Sequence, residues 1–232
     1  MLFTSLQQDA NNIYGFTAKQ TLNTAQSLYE KKFTTYPRTD CNYISQDMTG
    51  KVKAVIDKIG TFPEYAERVE MLKKQVLNLD KRIVNDKQMQ GHDHHAILPE
   101  ISNTDISVLS DDEKKIYGLI VNRLLCAVDS EYRYRETVYS FIGGDVKYTL
   151  KNITPVNMGW KRYDREIPEY TDFDLRIGDE LPAAAHIKTC ETRPPNRFTD
   201  ATLLSVMNNI DNRIADTELK EAVKGKGIGT EA

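Results

Sequence analysis

Thr34-Thr35-Tyr36-Pro37-Arg38-Thr39-Asp40 breaks into a helix-patterned half of the chain and sets a phenol, a guanidinium and a carboxylate in one short non-helical stretch. Proline fixes its own φ and biases the preceding Tyr36 away from helical angles. Alternate side chains of an extended strip share a face, so Thr34, Tyr36, Arg38 and Asp40 are expected on one side, with Asp40 placed to orient Arg38. A tyrosine hydroxyl titrates near pH ~10, so as a nucleophile toward phosphate it needs positive charge close by. Arginine supplies that charge without losing its proton, and its fork matches two phosphate oxygens. The same heptapeptide is also compatible with a buried tyrosine in a proline turn beside an ordinary Arg–Asp pair.

On either side of this strip the apolar spacing is helical. Ser5 to Ile13 predicts a helix stopped by Gly15, and Thr17 caps a second that runs to about Lys31. Phe33 to Thr35 reads as a short strand. Ser45 is placed to cap a helix through Val52, Val55, Ile56 and Ile59 that Gly60 closes, and Pro63 opens another carrying Ala66, Val69, Leu72 and Val76. Ser110 and Glu113 form a capping box for a helix through Ile116, Ile120 and Leu124.

From about Arg133 the period changes. Thr137 to Ile142, Gly143-Gly144 and Val146 to Leu150 predict a β-hairpin, and Glu180 to Thr192 reads as further strand. Pro194-Pro195 marks a boundary, after which Thr199 caps a helix through Leu203, Leu204, Val206 and Met207. The fold class expected is α+β, organised as residues 1–132, mainly helical and bearing the tyrosine, 133–193, antiparallel β, and 194–232, helical again.

The 232 residues are 40% hydrophobic, enough for a sizeable core, and no apolar run approaches the ~20 residues a membrane span needs. The expected location is cytoplasmic. Cys41, Cys126 and Cys190 lie far apart without a Cys-x-x-Cys pair, which argues against a disulfide framework or a zinc site. A formal charge of -3 leaves no global basic footprint, so nucleic-acid binding would rest on local cations among Lys19, Lys31, Lys32, Arg38, Arg193 and Arg197.

Other stretches admit plainer readings. His92-Asp93-His94-His95 invites a metal, but ligands packed so closely do not converge easily on one ion. Asp172-Phe173-Asp174 follows no apolar strand and is rejected as a metal site. Gly225-Lys226-Gly227-Ile228-Gly229 lacks the strand and the Lys-Ser/Thr of a phosphate loop. Arg193 to Phe198 suits a single-stranded backbone track, with Arg197 on DNA and Phe198 read as packing; Trp160 is read as packing too.

Six stretches in one linear order resemble the type IA DNA topoisomerases, closest to their topoisomerase III branch. They are Leu6 to Ala10 with Tyr14 to Glu30, the strip Thr34 to Asp40, His94-His95-Ala96-Ile97-Leu98-Pro99, Leu109 to Leu125, Pro194 to Ala201, and Gly227 to Ala232. Cys41 stands where many relatives carry serine. The resemblance implies that Tyr36 attacks a backbone phosphate of single-stranded DNA, that Arg38 and His94 act at that phosphate, and that Thr39, Asp40, Lys19, Arg193 and Arg197 bind DNA. It implies a winged-helix or catabolite-activator-like tyrosine domain followed by part of an antiparallel arch. It also implies that Mg²⁺ is held by a Toprim domain outside this chain, which would then be a central fragment, inactive alone, in a bacterial nucleoid-associated enzyme with a helicase as a candidate partner. A non-catalytic winged-helix DNA-binding module is the alternative, and a tyrosine recombinase or relaxase would need Arg-His-Arg or His-metal clusters that are not evident.

Overall fold

The computed structural model describes residues 1–102, 105–163, 170–171, 173–184, 186–223 and 228. The chain divides into two compact units, Met1–Asp129 together with Phe198–Ala232, and Ser130–Arg197. The Gly225 to Gly229 stretch lies outside the described residues except for Ile228, as does Asp172.

In the larger unit α1 (Phe3–Tyr14) buries Phe3, Leu6 and Ala10 at helical spacing and ends at Gly15, whose φ of 71° puts it in the left-handed region. There its N–H reaches back to the Asn11 carbonyl at 2.9 Å. Thr17 then caps α2 (Ala18–Glu30), its hydroxyl accepting from the Gln20 N–H at 3.1 Å. Beyond the Thr34 to Asp40 strip come a 3-10 turn at Gln46–Met48, α3 (Thr49–Ile59), α4 (Pro63–Lys73) and the one-turn α5 (Asp86–Met89). Two details differ from the sequence reading. Ser45 opens the 3-10 turn and makes no side-chain cap, and Val76 lies past the end of α4, 93% exposed. The turn takes up Gln46 to Met48 and so shifts the start of α3 three residues on, and α4 ends at Lys73, before Val76.

The core is organised around α6 (Asp111–Val128), which buries Ile116, Ile120, Val121, Leu125 and Val128 to 1% exposure or less. Its capping box is complete: the Ser110 hydroxyl accepts from Glu113 N–H at 3.3 Å and the Glu113 carboxylate accepts from Ser110 N–H at 2.8 Å. α7 (Asp200–Asn208), capped by Thr199, is joined to the α1–α2 turn by two hydrogen bonds: Ala18 N–H donates to Asp200 Oδ2 at 2.8 Å, and Ala201 N–H donates to Asn11 Oδ1 at 3.1 Å. α8 (Thr217–Val223) follows.

The smaller unit is a hairpin of β1 (Arg133–Gly143) and β2 (Val146–Asn157), antiparallel and longer than the alternation implied. Gly143 pairs with Val146 across a two-residue loop in which Gly144 takes a φ of 59°, the positive angle such tight hairpins demand. Tyr139, Phe141, Tyr148 and Leu150 share one face. Among the described residues, Glu180 to Thr192 forms no strand. A strand exists only by pairing, and the described sheet has two strands, already matched to each other. Trp160 and Phe198, both read as packing, are 38% and 61% exposed.

One charged group joins α2 to α6. Buried Glu113 accepts from Lys31 Nζ at 2.7 Å and from the Ser27 hydroxyl at 2.7 Å, in addition to its own cap. Burial opposes its ionisation, but the hydrogen bonds from Lys31, Ser27 and Ser110 outweigh it and hold the carboxyl at about 2, below its ordinary 4.5. A depressed carboxylate stabilises the fold fully above its unfolded value and loses that contribution as pH falls toward the folded one. The contribution is on the order of 3 kcal/mol. Glu113→Gln is therefore expected to lower stability at pH 7 by about 2–3 kcal/mol and to flatten the loss of stability between pH 4.5 and 2, read by urea unfolding across that range.

Candidate active site

The strip runs between the end of α2 and the 3-10 turn, and a second segment, His94 to Glu100, lies along it. Lys32, at a φ of 62°, turns the chain out of α2. Phe33 is then fully buried with its ring edge-on to Tyr117 at 5.8 Å. Thr35 exchanges two hydrogen bonds with Leu98: its N–H donates to the Leu98 carbonyl and its hydroxyl accepts from the Leu98 N–H, both at 2.9 Å. Glu100 N–H donates to Phe33 O at 2.8 Å, Ala96 N–H to Tyr43 O at 2.9 Å, and the Thr39 hydroxyl to the His94 carbonyl at 3.3 Å. The expected strand at Phe33 to Thr35 is thus a single antiparallel bridge, Thr34 to Pro99, with ties before and after it.

From Tyr36 onward burial alternates. Tyr36 is half-buried, Pro37 buried, Arg38 exposed, Thr39 buried and Asp40 exposed, so Tyr36, Arg38 and Asp40 share the accessible side. Thr34, expected with them, is buried at 2% exposure. The Tyr36 ring is held from two sides: Tyr29 meets it edge-on at 5.4 Å, and the His94 ring lies 4.6 Å from it at a 46° tilt. Thr39 N–H donates to Pro37 O at 3.0 Å, closing a three-residue turn with Arg38 at its apex. That turn pushes the guanidinium outward, and among the described residues Arg38 makes no hydrogen bond or ion pair. The Arg38–Asp40 pair suggested by their spacing is not formed. Asp40 instead bonds His92 Nδ1 at 2.6 Å, because the turn separates its carboxylate from Arg38 while the Thr39–His94 tie draws the His92 loop alongside.

The structure therefore gathers Tyr36, Arg38, Asp40 and His94 in one place. Thr39 is buried, its hydroxyl accepting from Cys41 N–H at 3.1 Å as well as donating to His94. Lys19 is exposed at the far end of α2 from Tyr29, about 15 Å along the helix. Arg193 and Arg197 are exposed residues of the other unit. Lys31 is engaged by Glu113 at 2.7 Å. Burial chiefly lowers the pKa of His95 from its ordinary value, and its Nδ1 meets the Ala96 carbonyl at 2.7 Å. Among the described residues no group of three or more His, Cys, Asp or Glu can hold a metal ion, and no helix is long and apolar enough to cross a membrane. Sequence reasoning gave no role at the site to Tyr29 or His92, and none to Thr35 beyond its place in the strip. Tyr29 stood only within a helix-patterned stretch and His92 only within the His92 to His95 cluster.

A half-buried phenol beside an unpaired, exposed guanidinium and an imidazole is a constellation for attack on a phosphodiester. The fold and motif order meet in one class: a family model described as DNA topoisomerase matches residues 2–232, and the chain belongs to that family. It is of the type IA kind and topoisomerase III-like, as the motifs implied. DNA topoisomerase 3 of Bacillus licheniformis is 38% identical to it over 217 residues, 89% of this chain and 29% of that protein. The Bacillus subtilis DNA topoisomerase 3 is 39% identical over 218 residues, with the same coverage of 89% and 29%. The chain spans about a third of the length of the curated relatives it matches. Among solved structures, full-length topoisomerase I from Thermotoga maritima matches 89% of this chain and 34% of its own with a TM-score of 0.68, a likeness of fold at 23% identity.

Thr35→Val keeps the shape of the side chain and removes the acceptor of the buried Leu98 N–H. The expected loss is about 1–3 kcal/mol in chemical unfolding, with an unchanged m-value.

Proposed function

We propose that this chain is the central part of a type IA topoisomerase that breaks and rejoins single-stranded DNA through Tyr36. The observation that carries this reading is the grouping of the Tyr36 ring, the His94 ring 4.6 Å from it and the outward, unpaired Arg38. In the proposed reaction the Tyr36 oxygen attacks a backbone phosphorus, a 5′-phosphotyrosyl bond forms, the bond to the 3′-oxygen breaks, and a proton passes from the phenol side to that leaving oxygen. One ester replaces another, so bond energy is conserved and no ATP is needed. Arg38 bears the charge that grows on the phosphate, and His94 assists at the same phosphate by holding or relaying the proton. The freed hydroxyl later reverses the step after a strand has passed.

In this reading residues 1–132 form the tyrosine domain, of winged-helix or catabolite-activator-like kind, 133–193 part of the arch, and 194–232 the start of the domain at the base of the gate. Lys19, Arg193 and Arg197 would follow the DNA backbone. In this reading Mg²⁺ would be held by a Toprim domain outside this chain. The protein would work in the bacterial cytoplasm at the nucleoid, with a helicase as a candidate partner.

The test is covalent capture. In the protein joined to the segments its relatives carry, denaturant quenching on end-labelled single strands is expected to leave the 5′ end attached to protein, and Tyr36→Phe is expected to reduce the adduct by at least about 10³-fold. Retention of the adduct by the Phe variant, or attachment through the 3′ end, would refute the reading. The chain alone is expected to bind single strands weakly and to leave supercoiled DNA unrelaxed in a gel assay.

A further inference from the structure

We propose that His92 is a positioning residue for this site: by holding the Asp40 carboxylate it keeps Asp40 from neutralising Arg38, and so leaves the guanidinium available to phosphate. The inference rests on the reading of Tyr36 and Arg38 given above. Arg38 and Asp40 stand two residues apart, both exposed on the same side of the strip. A carboxylate at that range is the natural partner of a guanidinium, and a guanidinium so paired is a poorer ligand for an anion. Here Asp40 turns instead to His92, with Nδ1 to Oδ1 at 2.6 Å, a short hydrogen bond.

The His92 ring is itself held where it can do this. The His92 backbone N–H donates to the Met89 carbonyl at 3.1 Å, and the preceding Gly91 takes a φ of 91°. Two residues on, the His94 carbonyl accepts from Thr39. The loop is thus tied to the strip at Asp40 through His92 and at Thr39 through His94, the residue whose ring lies against Tyr36. The pair is a surface one, with His92 and Asp40 side chains 30% and 66% exposed, and such pairs add little to folding stability. Its removal is therefore expected to alter the site without unfolding the chain.

The experiment measures binding of a short fluorescein-labelled single-stranded oligonucleotide to the full chain by anisotropy at low salt. Arg38→Ala is expected to weaken binding, and His92→Ala to weaken it roughly fivefold by releasing Asp40 onto Arg38. His92→Asn, which keeps a donor toward Asp40, is expected to stay within about twofold of the parent. In an Asp40→Ala background, His92→Ala is expected to have almost no effect, since there is no carboxylate left to hold. An equal loss in both backgrounds would make His92 a direct phosphate contact and overturn the proposal. So would a dependence on Arg38 without any dependence on His92, which leaves the underlying reading intact. Absence of any Arg38-dependent binding would overturn that reading and this inference together.

Discussion

The reciprocal hydrogen bonds between Thr35 and Leu98 are the constraint on which the site depends. They join two segments far apart in sequence, one carrying Tyr36 and Arg38, the other His94, at Thr35 next to Tyr36 and at Leu98 four residues past His94. A buried N–H must find an acceptor, and at Leu98 the acceptor is a side-chain oxygen rather than a backbone carbonyl. That substitution lets the two segments pair without becoming a regular ladder. A regular strand would keep Arg38 in the plane of its neighbours; the interrupted one lets the Pro37–Thr39 turn push the guanidinium out.

Glu113 extends the constraint into the helical core. Its carboxylate gathers Ser27 and Lys31 from the last turns of α2 and Ser110 from the start of α6. Tyr29 lies between Ser27 and Lys31, so the network that fixes those two also fixes the ring against which Tyr36 rests edge-on. Phe33, fully buried against Tyr117 of α6, anchors the chain on the next step. The Tyr36 ring is therefore placed by core packing behind it, while Arg38 and Asp40 lie exposed on the outer side of the strip.

Much of this was legible in the linear text where the rule is local. The Gly15 stop, the Thr17 and Thr199 caps, the Ser110–Glu113 box and the Gly143-Gly144 turn each depend on residues within four positions of one another, and each is present. Ser45 misled because a 3-10 turn precedes its helix, and Glu180 to Thr192 because alternation marks a capacity to pair but does not provide a partner. The same limit applied at the site. Tyr36, Arg38 and His94 could be named from motif order, yet the partner of Asp40 could not, since His92 is brought to it by contacts at Thr39 and Met89 that no spacing rule anticipates.

Net charge is a poor guide here for a physical reason. A total of -3 describes the potential far from the protein, whereas a phosphate within a Debye length of ~8 Å responds to the few groups it faces. Around the strip these groups are largely accounted for: Lys31 is committed to Glu113, and Asp40 is occupied by His92. Arg38 is left without a hydrogen bond or ion pair among the described residues. Local pairing of the surrounding charges thus produces one uncompensated guanidinium beside a tyrosine on an acidic protein, and this makes attraction of a phosphodiester to that point compatible with overall negative charge.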